Sequence, residues 1–496
     1  MRRQHPMRSA HASARPSNAA RSVFEAEAHR LIARHPKYRG RPRFERIDQT
    51  LRPSVGRSTE VAAPVFRSSA EAVDGPARRT WRYRTAIEPP SRKPPRRGNT
   101  MQRRRLTVTG AAVTAAAAAA ASMVLAWPST AEEGPARDRL QADADAIVAF
   151  GVTGVQARVT GDDGGTRAVT SGVADIDTGA PVDDEGLMRI GSVTKTFVAT
   201  VVLQLAGEGV LSLDDTAEDW LPGVVQAEGI DGGEITIRHL LQHTSGLPDY
   251  ADPPELGTEE YFQQTRFDIA DPMETVEAAL ATGPVFDEPG EGWSYSNPGY
   301  ILLGMIIEEA TGHHWAKAVH DRIVRPLDLD DTFWAGFASQ MPEPHAELYH
   351  RFKPGGDLVN VTEYIDHDAS GGLVSTTADV DRFMRALIGG GLLEPAEMSG
   401  MQQTVPVTGE GYELIWPGGV SYGLGVFRLG FDDCGEGLWV AGGDVIGAMT
   451  RAATTADGEH SVTVFSSAQL RDSFESAVGQ NLRTNDLIEH ALCGEQ

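Results

Sequence analysis

The stretch Gly191-Ser192-Val193-Thr194-Lys195-Thr196-Phe197 decides how the rest of this chain is interpreted. It precedes an apolar run of helical period, which predicts a helix with Ser192 at its N-terminus. The i,i+3 spacing then places the Ser192 hydroxyl and the Lys195 amine on one helix face, within reach of each other. A lysine whose pKa is lowered by burial can take the proton of a serine. The spacing therefore indicates a nucleophile and its base, although S-x-x-K alone also arises by chance.

A second polar segment, Tyr295-Ser296-Asn297, follows Pro289-Gly290 and lies 103 residues beyond Ser192. Taken alone, such a segment is more often a turn with a packed tyrosine. Paired with the serine and lysine it gains a chemical role, because a phenol can relay a proton and an amide can hold a substrate. We therefore predict that Ser192, Lys195 and Tyr295 are catalytic and that Asn297 binds substrate.

With both motifs in place, the sequence resembles the penicillin-recognising serine hydrolases, which include D-alanyl-D-alanine carboxypeptidases, class C β-lactamases and related esterases. The resemblance covers about residues 137–494. The segments that carry it are residues 189–195, residues 237–247 with His243-Thr244-Ser245-Gly246-Leu247, Tyr295-Ser296-Asn297, residues 370–376, and Tyr422-Gly423-Leu424-Gly425. The resemblance implies an oxyanion hole formed by the backbone N–H groups of Ser192 and Asp444, with Gly443 beside the substrate.

The family's third motif, Lys or His followed by a small residue and Gly, should fall at residues 441–443. Ala441 occupies the cationic or imidazole position and can neither move a proton nor hold an anion. Gly442 and Asp444 replace hydroxyl-bearing residues of the carboxypeptidases. We expect the Asp444 carboxylate to repel a substrate's own carboxylate, at a cost on the order of a few kcal/mol.

The arginine that such carboxypeptidases carry on the preceding strand aligns with Phe427. Arg428 is adjacent, but the period of two along a strand directs it to the opposite face unless a bulge intervenes. These departures favour a neutral ester or amide substrate. The predicted oxyanion hole consists of main-chain N–H groups, so these side-chain replacements do not affect it.

Two functions remain open. The first is a secreted serine hydrolase that forms a covalent acyl-enzyme on Ser192 and acts on a small-molecule or peptide substrate: an ester, an amide or a cell-wall peptide. The alternative, suggested by Ala441, is a catalytically weak penicillin-binding or sensing module of the same fold. We expect no cofactor and a monomer.

Periodicity predicts an α/β (α+β) fold in which both ends of the chain build one antiparallel sheet. Alternating residues at 152–159 and 168–173 predict a hairpin, and residues 438–441, 448–454 and 461–466 predict three more strands. Helices at 137–149 and 470–491 should flank the sheet. The sheet part is predicted at about 132–190 and 420–496, with an all-helical subdomain inserted at about 208–390.

Charge divides the chain of 496 residues into two pieces. Residues 1–131 hold 26 Lys and Arg against 8 Asp and Glu, whereas residues 132–496 hold 19 against 61. A net charge of −42 on the second piece argues against nucleic-acid binding through a cationic face. It is most simply a means of solvation, as for a protein in a salty exterior.

The basic first piece is interpreted as two segments that precede the hydrolase domain at 132–496. Residues 1–100, rich in Arg, Pro and Ser, are predicted to be a disordered extension that the mature protein lacks. Residues 101–131 have the charged, apolar and small-residue regions of a signal peptide, loosely of twin-arginine type. We expect Met101 to be the true start and the protein to be secreted. The alternative is a membrane anchor at 106–127.

The two cysteines of the chain, Cys434 and Cys493, both lie in the part expected to be exported. There they are either a disulfide or two unrelated buried thiols. The resemblance favours the disulfide, because the equivalent pair in secreted carboxypeptidases is bonded.

A metal site is not expected. His239 and His243 are four residues apart, but Leu240 stands where a zinc protease has its glutamate, so the pair is interpreted as structural.

Overall fold

The computed structural model describes residues 135–161, 164–250, 257–407, 412–416, 418–431, 434–435 and 437–493. The predicted extension at 1–100, the predicted signal peptide at 101–131 and the alternative anchor at 106–127 lie outside these residues. None of the helices in these residues combines the length and the apolar character of a membrane span.

Sixteen strands, many of only two residues, are present in the described residues. They are β1 (Gly154–Thr160), β2 (Thr166–Gly172), β3 (Met188–Arg189), β4 (Gln226–Ala227), β5 (Ile230–Asp231), β6 (Phe333–Trp334), β7 (Tyr349–His350), β8 (Val359–Asn360), β9 (Leu373–Ser375), β10 (Val405–Pro406), β11 (Val420–Tyr422), β12 (Phe427–Leu429), β13 (Leu438–Val445), β14 (Ala448–Thr454), β15 (Ser461–Ser466) and β16 (Ala468–Gln469).

The helices of the same residues are α1 (Pro135–Ala149), α2 (Val193–Gly207), α3 (Ala217–Trp220), α4 (Ile237–Gln242), α5 (Glu259–Thr265), α6 (Pro272–Leu280), α7 (Asn297–Thr311), α8 (Trp315–Val319), α9 (Thr377–Ile388), α10 (Pro395–Met401), α11 (Tyr412–Ile415) and α12 (Phe474–Leu492). A π-helical turn, His320–Val324, continues α8.

The main sheet has eight strands in the order β10-β11-β12-β13-β14-β15-β1-β2, and every neighbouring pair is antiparallel. Both ends of the chain contribute, which confirms the predicted α+β class. The predicted hairpin is β1 and β2. The strand predicted at 438–441 runs on to Val445, because Gly442-Gly443-Asp444 continues in the ladder with β14 instead of turning.

Helices cover both faces of this sheet. The terminal helices α1 and α12 pack on one face, where Ile147 and Leu487 join a core with Val155. On the other face lie α2 and α9, whose Phe197 and Phe383 rings stack at 3.6 Å between centroids. The sheet and the helical part therefore share one apolar core across this second face.

The inserted part at about 208–390 is mainly helical, as expected, but it is not all-helical. It also contains the short strands β4 to β9, and β6 and β9 form a small sheet with β3. Their brevity explains the difference, because a strand of two or three residues is too short to show an alternating pattern.

Helix α2 is buried over most of its length, with twelve of its fifteen residues shielded from solvent. Apolar residues surround it on all sides, as is typical of a helix inside a core and not at a surface. Its two ends are the accessible parts: Ser192 at the N-terminus is partly exposed, and Gly207 and Glu208 at the C-terminus are exposed.

The predicted disulfide joins Cys434 to Cys493, with Cα atoms 4.8 Å apart. It ties the loop before β13 to the end of α12, so the last helix is held against the sheet by a covalent bond.

Removing this disulfide should destabilise the fold. A loop of 59 residues is closed by the bond, and its loss is expected to lower the free energy of unfolding by about 4 kcal/mol. Urea denaturation of the Cys434→Ser/Cys493→Ser variant tests this. Reduced wild-type protein is the control and should have the stability of the variant. An unchanged midpoint would show that the bond adds nothing.

Candidate active site

The turn before α2 exposes a serine hydroxyl at the N-terminus of a buried helix. Gly191 has φ of +51°, a left-handed conformation that favours glycine. An added Cβ there would also lie 2.8 Å from Val445 Cγ1 and 3.1 Å from the Asp444 carbonyl oxygen. Ser192 follows in helical conformation, and its side chain does not cap α2. Its Oγ is therefore available to other groups.

The Lys195 amine has three hydrogen-bond partners. Nζ donates to Ser192 Oγ at 3.0 Å, to Asn297 Oδ1 at 2.6 Å and to the Ser370 carbonyl oxygen at 2.7 Å. The lysine itself is only 2% exposed. Two of these partners, the amide oxygen and the carbonyl oxygen, can only accept a hydrogen bond.

Burial lowers the pKa of Lys195 to about 7, although the nearby carboxylates of Asp368, Asp249 and Asp366 oppose the shift. The three hydrogen-bond partners of Nζ determine which of its protons is lost when the amine becomes neutral. A neutral amine keeps two N–H groups for Asn297 and Ser370, so its lone pair points to the Ser192 hydroxyl. The geometry prepares Lys195 to accept the serine proton at neutral pH.

Tyr295 contacts the same serine oxygen, since its hydroxyl donates to Ser192 Oγ at 2.7 Å. Burial raises the pKa of Tyr295 well above its ordinary value, so the phenol stays protonated near neutral pH. Its ring lies 4.4 Å from that of His243. The structure thus brings together the three side chains predicted to be catalytic; their roles stay predictions.

Asn297 is the first residue of α7, and a carboxylate that sequence reasoning missed holds it in place. Asp249 Oδ1 accepts hydrogen bonds from both Asn297 N and Asn297 Nδ2, each at 3.0 Å. Asp249 lies 48 residues before Asn297 in the chain, and no motif linked the two residues in the sequence. The only signal was its position just after His243-Thr244-Ser245-Gly246-Leu247.

The two histidines predicted to be structural each accept a hydrogen bond from a main-chain N–H group. Nδ1 of His239 accepts from Thr236 N at the start of α4, and Nδ1 of His243 accepts from Ser296 N. His243 is buried and its pKa lies well below the ordinary value, through burial and the nearby charge of Lys195. It therefore supports the segment that carries Tyr295.

Strand β13 approaches the turn before α2 through its backbone. A Cβ added to Gly443 would lie 1.9 Å from the Ile190 carbonyl oxygen and 3.0 Å from Val193 N. Glycine is required for this approach, which places the main chain of residues 443–444 beside Ser192. The predicted oxyanion hole, made by the N–H groups of Ser192 and Asp444, stays a prediction.

A family model described as Beta-lactamase matches residues 140–485. The chain belongs to this beta-lactamase family of serine hydrolases. It is 37% identical over 191 residues to "Esterase EstB" of Burkholderia gladioli, a match that covers 37% of this chain and 46% of the esterase. The chain spans about half the length of the curated relatives it matches.

Solved structures of the same family cover more of the chain. A D-stereospecific amidohydrolase from Streptomyces sp. has a TM-score of 0.63 and 34% identity, over 72% of this chain and 99% of that one. A D-amino acid amidase from Ochrobactrum anthropi SV3, complexed with D-phenylalanine, has a TM-score of 0.61 and 26% identity, over 72% of this chain and 100% of that one.

The third motif departs from the pattern of the carboxypeptidases and β-lactamases as expected. Ala441 is 2% exposed and packs in the core on the α2 side. The ladder of β12 and β13 is regular, pairing Phe427 with Val440 and Arg428 with Trp439. Because no bulge intervenes, Arg428 lies on the opposite face from Phe427, where its guanidinium is 5.3 Å from the Trp439 ring centroid.

The expectation about Asp444 was wrong. Its carboxylate accepts hydrogen bonds from Arg451 Nη1 at 2.8 Å and from Arg471 Nη2 at 3.0 Å, so it is not an unpaired charge. Arg451 also bonds Asn481 of α12. The period of two directs Asp444 to this terminal-helix face, away from the face of Gly443 that contacts the turn at Ile190. Repulsion of a substrate carboxylate by Asp444 therefore does not follow.

Other carboxyl groups, missed in the sequence, make the surroundings of Lys195 acidic. Asp368 Oδ1 accepts from Ser370 N at 2.7 Å and from Ser370 Oγ at 2.6 Å. Burial and the neighbouring Asp368 raise the pKa of Asp366 to about 6, while Arg189 and Lys195 oppose the rise. Together with Asp249, these groups give the site a negative potential.

The pH dependence should follow Lys195. We expect kcat/KM for p-nitrophenyl acetate to fall about tenfold per pH unit below about pH 7, where the amine becomes protonated. Asp368→Asn removes a charge that raises the Lys195 pKa, so its acid limb should move to lower pH. Asp214→Asn, whose side chain is 84% exposed, serves as control and should not move it. An unmoved limb in Asp368→Asn would contradict this electrostatic account.

Gly442 and Gly443 are adjacent in β13, and their alanine substitutions form a matched pair of variants. Gly443→Ala forces main chain away from the turn before Ser192, and loss of one oxyanion donor costs about a hundredfold to a thousandfold in kcat. In Gly442→Ala the added Cβ meets only the Arg451 side chain, at 3.6 Å, so turnover should persist. The measurement is kcat for p-nitrophenyl acetate. An equal loss of kcat in the two variants would show that the Gly443 backbone has no special role in the site.

Proposed function

We propose that this chain is an exported serine hydrolase that forms a covalent acyl-enzyme on Ser192 and hydrolyses amides or esters, with amides of amino acids that carry a free ammonium as the preferred class. The observation that carries the reaction type is the position of Ser192 Oγ, which is hydrogen-bonded to both Lys195 Nζ and Tyr295 OH.

Acylation begins from neutral Lys195. Its lone pair takes the hydroxyl proton while Ser192 Oγ bonds to the substrate carbonyl carbon, and the carbonyl oxygen becomes an oxyanion. Backbone N–H groups at the N-terminus of α2 and on β13 face this developing charge in the proposed mechanism. Lys195 is then an ammonium held by Asn297 and Ser370.

Collapse of the tetrahedral intermediate breaks the bond to the leaving group, which needs a proton if it is an amine. Tyr295, protonated at neutral pH and in contact with Ser192 Oγ, gives this proton. The proton gained by Lys195 balances the one lost by Tyr295. Water then attacks the acyl-enzyme and releases the acid by the reverse order of transfers.

Two positions that hold an anionic substrate group in related enzymes carry uncharged side chains in this chain. Carboxypeptidases and β-lactamases hold an anionic substrate group with side chains that this chain replaces by Ala441 and Phe427. The Phe427 ring contacts the Tyr422 ring instead, at 4.5 Å between centroids. A substrate need not carry a free carboxylate to fit such a site.

The acidic surroundings of Lys195 favour a positive substrate group. Asp366 and Asp368 are both partly accessible, and the electrostatic effect of each reaches the Lys195 amine. The ammonium of an amino-acid amide has the complementary charge. The names of two similar proteins, a D-stereospecific amidohydrolase and a D-amino acid amidase, support an amide of this kind and make the D series the first to test.

Export is proposed on the signal-like segment at 101–131 and is supported by the disulfide, because such bonds persist in oxidising compartments. The monomer expected from the sequence remains a prediction.

Substrate preference is tested with D-phenylalanine p-nitroanilide against its N-acetyl derivative, using residues 132–496. The free amine should have a kcat/KM higher by about tenfold or more, since a single opposite charge several ångströms away contributes about 2 kcal/mol at intermediate dielectric. Asp366→Asn should reduce this preference. The L isomer reports stereochemical preference.

Ser192→Ala is the control for the reaction type. Turnover that persists in it would sink the acyl-enzyme mechanism. Labelling of Ser192 by a fluorescent penicillin without turnover of any ester or amide would instead support the binding module that Ala441 suggests.

A further inference from the structure

We propose that Asp249 is a positioning residue that locks the Asn297 amide with its oxygen toward Lys195, and so keeps the lysine lone pair available to Ser192. This inference rests on the proposed function, because it assigns a role within the same reaction.

A single carboxylate oxygen determines the orientation of the amide. Asp249 Oδ1 accepts from Asn297 N and from Asn297 Nδ2 at 3.0 Å each, and Asn297 Oδ1 accepts from Lys195 Nζ at 2.6 Å. A flipped amide would place its oxygen against the carboxylate and its NH₂ group against the amine. Both contacts would lose their hydrogen bonds while Lys195 is charged.

A flipped Asn297 amide would impair the reaction when Lys195 is neutral. The amine then has one lone pair, and an Asn297 NH₂ group turned toward it could donate a hydrogen bond to that lone pair. This contact would compete with the Ser192 hydroxyl for the base. Asp249 prevents it, because the carboxylate holds Nδ2 on the far side of the amide.

Local structure keeps Asp249 at this position. Ser296 Oγ donates to the Pro248 carbonyl oxygen at 3.0 Å, which joins the segment before Asp249 to the residue that caps α7. Asp249 in turn accepts from the N–H of Asn297, one of the unpaired donors in the first turn of that helix. A carboxylate at a helix N-terminus is also favoured by the helix dipole.

Asp249 also acts on Lys195 through its charge, as Asp366 and Asp368 do. The two effects separate in two variants. Asp249→Asn loses the charge but keeps a side-chain oxygen that can accept from Asn297. Asp249→Ala loses both the charge and the acceptor.

The experiment measures the rate at which Ser192 is labelled by a fluorophosphonate, followed by intact-protein mass spectrometry across pH, in addition to turnover. Both variants should move the acid limb of the rate to lower pH by the same amount. Asp249→Ala should also lower the plateau rate about a hundredfold, as expected for a misplaced catalytic group. Asp249→Asn should keep a plateau near that of wild type.

A double-mutant cycle tests whether the effect passes through the amide. In an Asn297→Ala background, Asp249→Ala should cause no further loss, because no amide remains to be oriented. Asp271→Ala is the matched control for lost helix capping: Asp271 Oδ1 accepts from Met273 N at the start of α6. It should lower stability without lowering the plateau.

Equal plateaus in Asp249→Ala and Asp249→Asn would overturn the positioning role, as would additive losses with Asn297→Ala. Labelling without turnover of any substrate would overturn the proposed hydrolysis alone, because the labelling rates would still report on Asp249. Wild-type Ser192 that resists the label would overturn both proposals.

Discussion

The site depends on the burial of one amine. Lys195 lies in the first turn of a helix that the core surrounds. Of the three partners of its Nζ, only Ser192 is local, and Asn297 and Ser370 are brought from elsewhere in the chain. Removing an ammonium from water is costly, and the protein meets this constraint by lowering its pKa to about 7. An unfolded lysine keeps its proton to a pH near 10.5, so between these two pH values the unfolded chain binds more protons. Stability should therefore rise with pH across this window.

Local rules were enough to predict the helix at Ser192, the i,i+3 contact with Lys195 and five of the eight strands of the main sheet; the short strands β10, β11 and β12 were not predicted by them. The role of Tyr295 was predicted by combining its motif with the serine–lysine motif, because a spacing of 103 residues does not by itself imply contact. Asp249 and Asp368 could not be predicted, since their partners are set by tertiary packing. The length of β13 was underestimated because two glycines and an aspartate are more common in turns than in strands.

Asp444 shows why a residue type at a motif position is weaker evidence than its direction. The register of β13 and β14 pairs Gly442 with Arg451 and Asp444 with Met449, which leaves Arg451 diagonal to Asp444 on the same face. This face belongs to α12, and Arg471 supplies a second cation there. The Gly443 backbone still approaches the turn before Ser192 closely. This approach does not depend on the side chain at Ala441, but it leaves no room for a side chain at Gly443.

The acidity around Lys195 links substrate binding to activation of the base. The carboxylates of Asp366 and Asp368 stabilise the ammonium form of Lys195, which is the form that cannot take a proton. A cationic substrate group placed beside them offsets that field and adds a like charge near the amine, and both effects lower the lysine pKa. In the proposed reaction, a bound amino-acid amide thus increases the fraction of Lys195 that is neutral. A neutral ester lacks this effect, so the negative charge of the site favours cationic substrates in the chemical step as well as in binding.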